Sequence, residues 1–217
     1  MLRADLHIHT AYSSDCGTSL ENVIARCLEI GINCVAVTDH NTIAGALEMK
    51  RMAPFTVIVG EEIQTLSGEV IGYFLSEEIP SRLPAEETAH LIKEQGGLVC
   101  IPHPFDRLRP STLRRQHLET LLPHIDIVEV FNSRVPLSRH SASALLFAQN
   151  HGLLASAGSD AHTAAEIGSA YVEMPEFNDR EEFCLALAKG KVVGQRARLW
   201  VHLWSNWAKL GKYTKGR

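Results

Sequence analysis

Asp5-Leu6-His7-Ile8-His9-Thr10 decides how this chain is read. The stretch closes an apolar run that begins at Leu2, and residues two apart on a strand leave the same face. His7 and His9 therefore project their imidazoles together, with Leu6 and Ile8 pointing the other way. Two nitrogen donors converge on one point. Three more motifs repeat the layout: Thr38-Asp39-His40 after Cys34-Val35-Ala36-Val37, Pro102-His103-Pro104 after Leu98-Val99-Cys100-Ile101, and Ser159-Asp160-Ala161-His162 after the run from Leu153 to Gly158. Each motif ends a segment of strand length and composition.

Segments of helical character lie between these strands. The pattern predicts strands at Leu2 to His9, Asn33 to Thr38, Phe55 to Gln64, Glu69 to Leu75, Leu98 to Ile101, Ile125 to Phe131 and Leu153 to Ala157, with the last strand at Ala170 to Met174. Helices are predicted at Ser19 to Glu29, Thr42 to Lys50, Ala85 to Gln95, Ser111 to Leu122, Ser138 to Asn150 and Arg180 to Lys189. Alternation of this kind makes a largely parallel sheet or barrel, whose strand C-terminal ends gather at one rim. Donors far apart in sequence then meet in space.

With 217 residues, 45% of them hydrophobic, the chain can bury one sizeable core. No Gly/Ser-rich linker or internal repeat divides it. The five cysteines, Cys16, Cys27, Cys34, Cys100 and Cys184, are scattered without a Cys-x-x-Cys pair, which argues against a disulfide framework and a zinc ribbon. Strand-forming sequence starts beside Met1 and no apolar stretch is of membrane-spanning length, so a cytoplasmic protein is expected. Residues from Phe183 onward hold eight Lys or Arg and no Asp or Glu, which leaves the first 182 with 13 basic (21 minus 8) and 25 acidic residues. An acidic body with a histidine-rich rim suits a cation site, whereas a duplex-binding domain places its basic patch on the body.

Taken together, Asp5–Thr10, Thr38-Asp39-His40-Asn41-Thr42, Gly60-Glu61-Glu62, His103-Pro104 and Gly158-Ser159-Asp160-Ala161-His162 resemble the PHP (polymerase and histidinol phosphatase) superfamily of metal-dependent phosphoesterases, in order and over the chain to about Arg196. The resemblance implies a distorted (β/α)7, TIM-like barrel over residues 1–196, with two or three divalent ions (manganese, zinc or iron) at its C-terminal rim. It further implies a first metal held by His7, His9, Glu62 and Asp160, Glu62 bridging to a second that His103 also binds, and a third held by Asp15, His40 and His162. Of Glu61 and Glu62, the resemblance implies Glu62, since the family's glutamate lies two after the glycine; alternation then turns Glu61 to the opposite face. Where relatives place a histidine after this strand, the chain has Gly68-Glu69, so Glu69 is a candidate ligand of the second metal, shifting preference toward harder ions.

The expected activity is hydrolysis of a phosphoester by a metal-bridging hydroxide, on a nucleotide, sugar phosphate or oligonucleotide end, without stable duplex binding. His103 and His162 are the candidates for protonating the leaving group, and Arg107 and Arg134, with Arg109 behind them, for gripping phosphate. Asp5 and Asp39 are candidates either for orienting histidine N–H groups or for capping strand ends. Glu129 and Asn132 neighbour the rim, though alternation does not place both. His90, His117, His124, His140, His151 and His202 read as surface residues. A metal-dependent amidohydrolase and a non-catalytic phosphate-binding module are the competing readings. Finally, Leu199, Trp200, Leu203, Trp204, Trp207 and Leu210 repeat at helical spacing within a basic tail over 197–217, an amphipathic helix expected to pack on the barrel or to mediate self-association, membrane or nucleic-acid contact.

Overall fold

Nine strands among the described residues make one curled sheet in the order β7-β6-β5-β4-β3-β2-β1-β8-β9. They are β1 (Leu2–Ile8), β2 (Cys34–Val37), β3 (Thr56–Gln64), β4 (Glu69–Tyr73), β5 (Leu98–Ile101), β6 (Ile127–Asn132), β7 (Leu154–Gly158), β8 (Ala170–Met174) and β9 (Lys191–Gly194). The computed structural model describes residues 1–196, so the amphipathic helix expected over 197–217 lies outside the described residues. Six helices connect the strands: α1 (Leu20–Ile30), α2 (Ala44–Met52), α3 (Ala85–Glu94), α4 (Arg115–Leu121), α5 (Ser138–His151) and α6 (Arg180–Ala188).

The sheet is parallel in two blocks, β1–β3 and β5–β7, joined by β4, which runs antiparallel to both neighbours. That reversal has a consequence for the rim. In an antiparallel strand the first residue, not the last, lies beside the C-terminal ends of its neighbours, so Glu69 at the start of β4 pairs with Gln64 at the end of β3, two register positions from Glu62. Two further strands, β8 and β9, continue antiparallel from β1. β9 lies beyond the strands expected from the residues, because Lys191-Val-Val-Gly194 is too short and too exposed for its alternation to register as a strand.

Backbone bonds at the rim bring the two blocks together. Asp160 N–H donates to His7 C=O at 2.7 Å and His9 N–H donates to Ala161 C=O at 2.9 Å, drawing the chain after β7 against the end of β1. The approach is so close that a Cβ on Gly158 would fall 2.2 Å from His7 Cβ, which is why glycine stands there.

Apolar side chains divide into two layers. Val35, Val37, Val57, Val59, Val99 and Ile101 face outward beneath the helices, with Val23, Met49 and Ile92 packing onto them. Cys34, Ala36, Ile58, Ile71, Tyr73 and Cys100 face inward, and α6 plugs that end of the interior with Phe183, whose ring packs edge-on to Tyr73, Phe74 and Phe177. Burying Phe183 contributes about 2–3 kcal/mol by area. The four cysteines of this chain that are buried, Cys16, Cys27, Cys34 and Cys100, are free thiols, as is Cys184.

Helix ends follow local chemistry. Ser19 caps α1 by accepting from Asn22 N–H, and Gly31 ends it in the left-handed region at φ 73°. Asp179 caps α6 through Glu182 N–H.

Two irregularities depart from simple alternation, and both serve the rim. Between Asp5 and Ile8, β1 advances three residues while β2 advances two, Val35 to Val37. The bulge changes parity: Leu6 joins the interior layer with Leu2 and Ala4, His7 follows it inward, and Ile8 alone turns toward the helices. The expectation that Leu6 and Ile8 share a face is therefore corrected. In β6 the register slips between Glu129 and Phe131, and the bulge turns both Glu129 and Asn132 inward, which strict alternation forbids for residues three apart.

Glu61 turns outward from Glu62 as alternation requires, and its Oε2 accepts from Ile79 N–H at 2.9 Å while Oε1 lacks a partner. Burial pushes its pKa from 4.5 up to about 7. The folded state thus holds this proton more tightly than the unfolded chain, so its stabilising effect is full below about pH 4.5 and is lost as pH rises through about 7. Glu61→Gln keeps an acceptor for Ile79 and cannot ionise. Denaturant unfolding should show the variant more stable than the parent at pH 8, by on the order of 2–3 kcal/mol, and no such gain at pH 5.

Candidate metal centre

Five histidines and four carboxylates meet at the C-terminal rim. His7 and His9 come from the bulged end of β1, with His9 one residue beyond the strand, and Glu62 from the end of β3. His40, His103, Asp160 and His162 follow the ends of β2, β5 and β7. Two of these loop residues hold a left-handed backbone that costs a non-glycine residue about 1–3 kcal/mol, His103 at φ 32° and Asp160 at φ 54°. Such positions persist only where the surroundings fix them.

Four atoms define the heart of the cluster: His7 Nε2, His9 Nε2, Glu62 Oε2 and Asp160 Oδ1. His7 Nε2 lies 3.2 Å from His9 Nε2, 3.4 Å from Glu62 Oε2 and 3.7 Å from Asp160 Oδ1, and His9 Nε2 lies 3.4 Å from each carboxylate oxygen. Donors arranged tetrahedrally about 2.1 Å from an ion are about 3.4 Å from one another, so the set has the dimensions of a coordination site. Its buried oxygens Glu62 Oε2 and Asp160 Oδ1 have no hydrogen-bond partner, nor does Glu69 Oε2. An orphaned buried carboxylate oxygen costs well over 1 kcal/mol unless a cation meets it. The donor set fits a divalent ion.

Glu62 faces a second position with its other oxygen. Oε1 lies 3.1 Å from His103 Nε2, and Glu69 Oε2 lies 3.6 Å from the same nitrogen. A third grouping sits on the far side of His9, where Asp15 Oδ2 is 3.5 Å from His40 Nε2 and 3.4 Å from His162 Nε2. His40 also turns Nδ1 to within 3.3 Å of Glu62 Oε2. All nine residues singled out as ligand candidates, His7, His9, Asp15, His40, Glu62, Glu69, His103, Asp160 and His162, are thus brought together.

The electrostatics follow from packing. Against the penalty of burial, His7, His40 and His103 hold the Glu62 carboxyl well below its usual range, and Arg109 and His7 do the same for Asp160. Burial, and then the neighbouring imidazoles of His162 and His40, push His9 down to about 3, which leaves its imidazole neutral and able to donate a lone pair. Glu69 moves the other way, raised by burial and by the adjacent Glu62 charge.

A shell of polar residues orients these side chains. Glu129 Oε1 pairs with His7 Nδ1 at 3.0 Å, which fixes the tautomer that presents Nε2 to the cluster, while Oε2 accepts from His103 N–H at 2.8 Å and from Asn132 Nδ2 at 3.0 Å. Asn132 Nδ2 and Arg109 Nη2 both donate to Asp160 Oδ2, at 3.2 and 2.6 Å, directing Oδ1 to the histidines. Glu129 was recognised from sequence only as a neighbour, because the bulge that aims it leaves no trace in the residue pattern.

Of the two roles open for Asp5 and Asp39, the hydrogen bonds fit the capping one: Asp5 accepts from Ser159 N–H and Gly168 N–H, and Asp39 from the Thr10 backbone and hydroxyl, so both pin rim loops. His140 is buried rather than on the surface, with Nδ1 3.5 Å from Asp106. Of the arginines after His103 named for phosphate, Arg109 reaches Asp160, while Arg107 is exposed and lines a neighbouring groove. Arg134 is buried at the mouth, 2.7 Å from His162 Nδ1 and 3.5 Å from Glu166. Replacing Glu129 by Gln should lower divalent-ion affinity about 10- to 100-fold, read by chelator competition, with little change in unfolding midpoint of the metal-free protein.

Comparison with known proteins agrees with this architecture. Residues 139–192 match the family model PHP_C, described as PHP-associated. The chain is 36% identical over 181 residues to the uncharacterized protein MJ0417 of Methanocaldococcus jannaschii, an alignment covering 82% of this chain and 72% of that one. A two-domain protein from Bacteroides vulgatus, containing a predicted PHP-like metal-dependent phosphoesterase, superposes with a TM-score of 0.73 at 16% identity over 89% of this chain, which spans 65% of that protein's length. Endonuclease Q, in complex with a 27-mer duplex substrate carrying an abasic lesion, superposes with a TM-score of 0.65 at 18% identity, over 90% of this chain and 60% of the nuclease. With the TIM-like barrel, the ordered motifs and the clustered donors all in place, the chain belongs to the PHP superfamily.

Proposed function

We propose that this protein is a metal-dependent phosphoesterase acting on a nucleotide, a sugar phosphate or an oligonucleotide end. The observation that carries the reading is the four-atom set around Glu62 and Asp160, with spacings of 3.2 to 3.7 Å and two buried carboxylate oxygens without partners. On this reading His7, His9, Glu62 and Asp160 hold one ion, Glu62, His103 and Glu69 a second, and Asp15, His40 and His162 a third. Bound divalent ions supply Lewis acidity, lowering the pKa of water near neutrality and drawing charge from phosphoryl oxygens. The mixed imidazole and carboxylate donors suit manganese, zinc or iron.

The chain's own residues do the remaining work. Glu62 spans two positions with its two oxygens, and Glu129 keeps His7 in the tautomer that faces inward. Arg109 and Arg134 place guanidinium groups at the cluster, against Asp160 and His162, where they can fork onto phosphate oxygens. His103 or His162, whichever is not fully ligated, is the imidazole assigned to returning a proton to the leaving oxygen. The lysines of the described chain, Lys50, Lys93, Lys189 and Lys191, lie on helices, at a helix end or on the edge strand β9, so no lysine enters the cluster as an amidohydrolase built on a modified lysine would need. The completeness of the donor set speaks against a purely binding role. No helix among the described residues is long and apolar enough to cross a membrane.

The test is a parallel screen of phosphomonoesters, cyclic nucleotides and short RNA and DNA ends with the protein loaded with manganese, zinc or iron, against a chelated control. Turnover should require metal. His9→Ala should reduce it on the order of 10³-fold or more while circular dichroism stays unchanged. Full activity in that variant, or activity indifferent to chelation, would contradict the assignment.

A further inference from the structure

The donors of β1 depend on one change of parity in its backbone. Leu2, Ala4 and Leu6 line the interior, so unbroken alternation would send His7 and His9 outward beneath the helices and bring Ile8 in. The bulge reverses that assignment for all three. It also leaves Leu6 and His7 without register partners of their own in β2, between the pairs Asp5 with Val35 and Ile8 with Val37. A bulge disrupts the ladder locally, so its carbonyls must find other donors.

Three consecutive carbonyls find them in three places. Leu6 C=O accepts from the Tyr73 hydroxyl at 2.7 Å, His7 C=O from Asp160 N–H at 2.7 Å, and Ile8 C=O from Thr38 N–H at 2.9 Å. The last two donors are backbone groups of the adjoining rim segments. The first is a side chain that crosses the barrel, because β4, which carries Tyr73, stands three strands from β1 in the sheet. Tyr73 is fully buried, and Phe183 holds its ring edge-on with centroids 6.4 Å apart. Since β4 runs antiparallel, Glu69 stands at its rim end and Tyr73 at the opposite end, from which the hydroxyl reaches the middle of β1. Phenylalanine would fill the same apolar layer; what the hydroxyl adds is a donor for one bulge carbonyl.

Resting on the reading of the cluster as a metal centre, we infer that Tyr73 is a positioning residue for it: its hydroxyl, bonded to the Leu6 carbonyl, holds the β1 bulge in the parity that turns His7 and His9 together onto Glu62 and Asp160. Tyr73 acts through the backbone of β1 rather than on the ion. Because Glu69 belongs to the same strand, β4 also ties a donor of the second position to the geometry of the first.

The test is Tyr73→Phe, which keeps the ring and deletes the hydroxyl. Leu121→Ala in α4, a buried position packed toward α3, controls for loss of stability alone. Both are compared with the parent after circular dichroism confirms the fold. In metal-free protein, nitrogen NMR spectra of the histidine rings report tautomer and hydrogen bonding; Tyr73→Phe should shift the ring signals of His7 and His9 and leave those of exposed His90 in place. With cobalt(II) as the probe ion, affinity read by chelator competition should fall about tenfold, and the visible absorption spectrum, which reports coordination geometry, should change. Leu121→Ala should match the parent in both. A further reading needs no variant: in the parent, the Tyr73 hydroxyl proton should appear as a slowly exchanging resonance. Unchanged ring signals and cobalt binding in Tyr73→Phe, the same losses in Leu121→Ala, or a Tyr73 hydroxyl in fast exchange would each overturn the inference. If the parent takes up no cobalt, the metal-centre reading fails, and the ring spectra of metal-free protein still decide whether Tyr73 sets His7 and His9.

Discussion

One carboxylate organises this protein. Glu62 is fully buried, and its two oxygens lie within 3.1 to 3.4 Å of four imidazoles, those of His7, His9, His40 and His103. Neutral imidazoles leave Oε2 without a hydrogen-bond donor, and charged ones would crowd like charges at contact distance. Divalent cations resolve both problems at once. Bound at the rim, they would meet the orphaned oxygens of Glu62, Asp160 and Glu69 while accepting lone pairs from the rings, and would convert a set of mutually unfavourable groups into a coordinated one.

Fold and site share parts. The same residues that offer donors also draw the chain after β7 against β1, through the bonds from Asp160 to His7 and from His9 to Ala161. Bulges in β1 and β6 supply the extra inward-facing positions that an even alternation could not, and the reversal of β4 lifts Glu69 to the rim. Ion binding should therefore also tighten the barrel, because ligands from β1, β3 and the loops after β5 and β7 are fixed in one set.

Much of this is legible in the residues. His-x-His at the end of a strand, and Asp-His, His-Pro and Ser-Asp-Ala-His at the ends of others, expose the rim because donors recur where apolar runs stop. Glu62 separates from Glu61 by the two-residue period of a strand, and the outward hydrogen bond of Glu61 to Ile79 agrees. What the sequence hides is irregular: the parity change after Leu6, the joint inward turn of Glu129 and Asn132, and the reach of Arg109, which the sequence ranked behind Arg107. A bulge depends on register with a neighbouring strand, and a loop arginine's target depends on tertiary placement. Neither has a local signature. His140 misleads for a related reason, since its burial depends on how α5 meets the loop carrying Asp106 rather than on its own helix.

The most direct measurement is anomalous diffraction from crystals grown with manganese or zinc. The account requires a strong peak about 2.0–2.2 Å from His7, His9, Glu62 and Asp160, a second between Glu62, His103 and Glu69, and a third against Asp15, His40 and His162. A rim without anomalous density, its imidazoles turned to other partners and the Glu62 carboxylate met by protein donors alone, would contradict it.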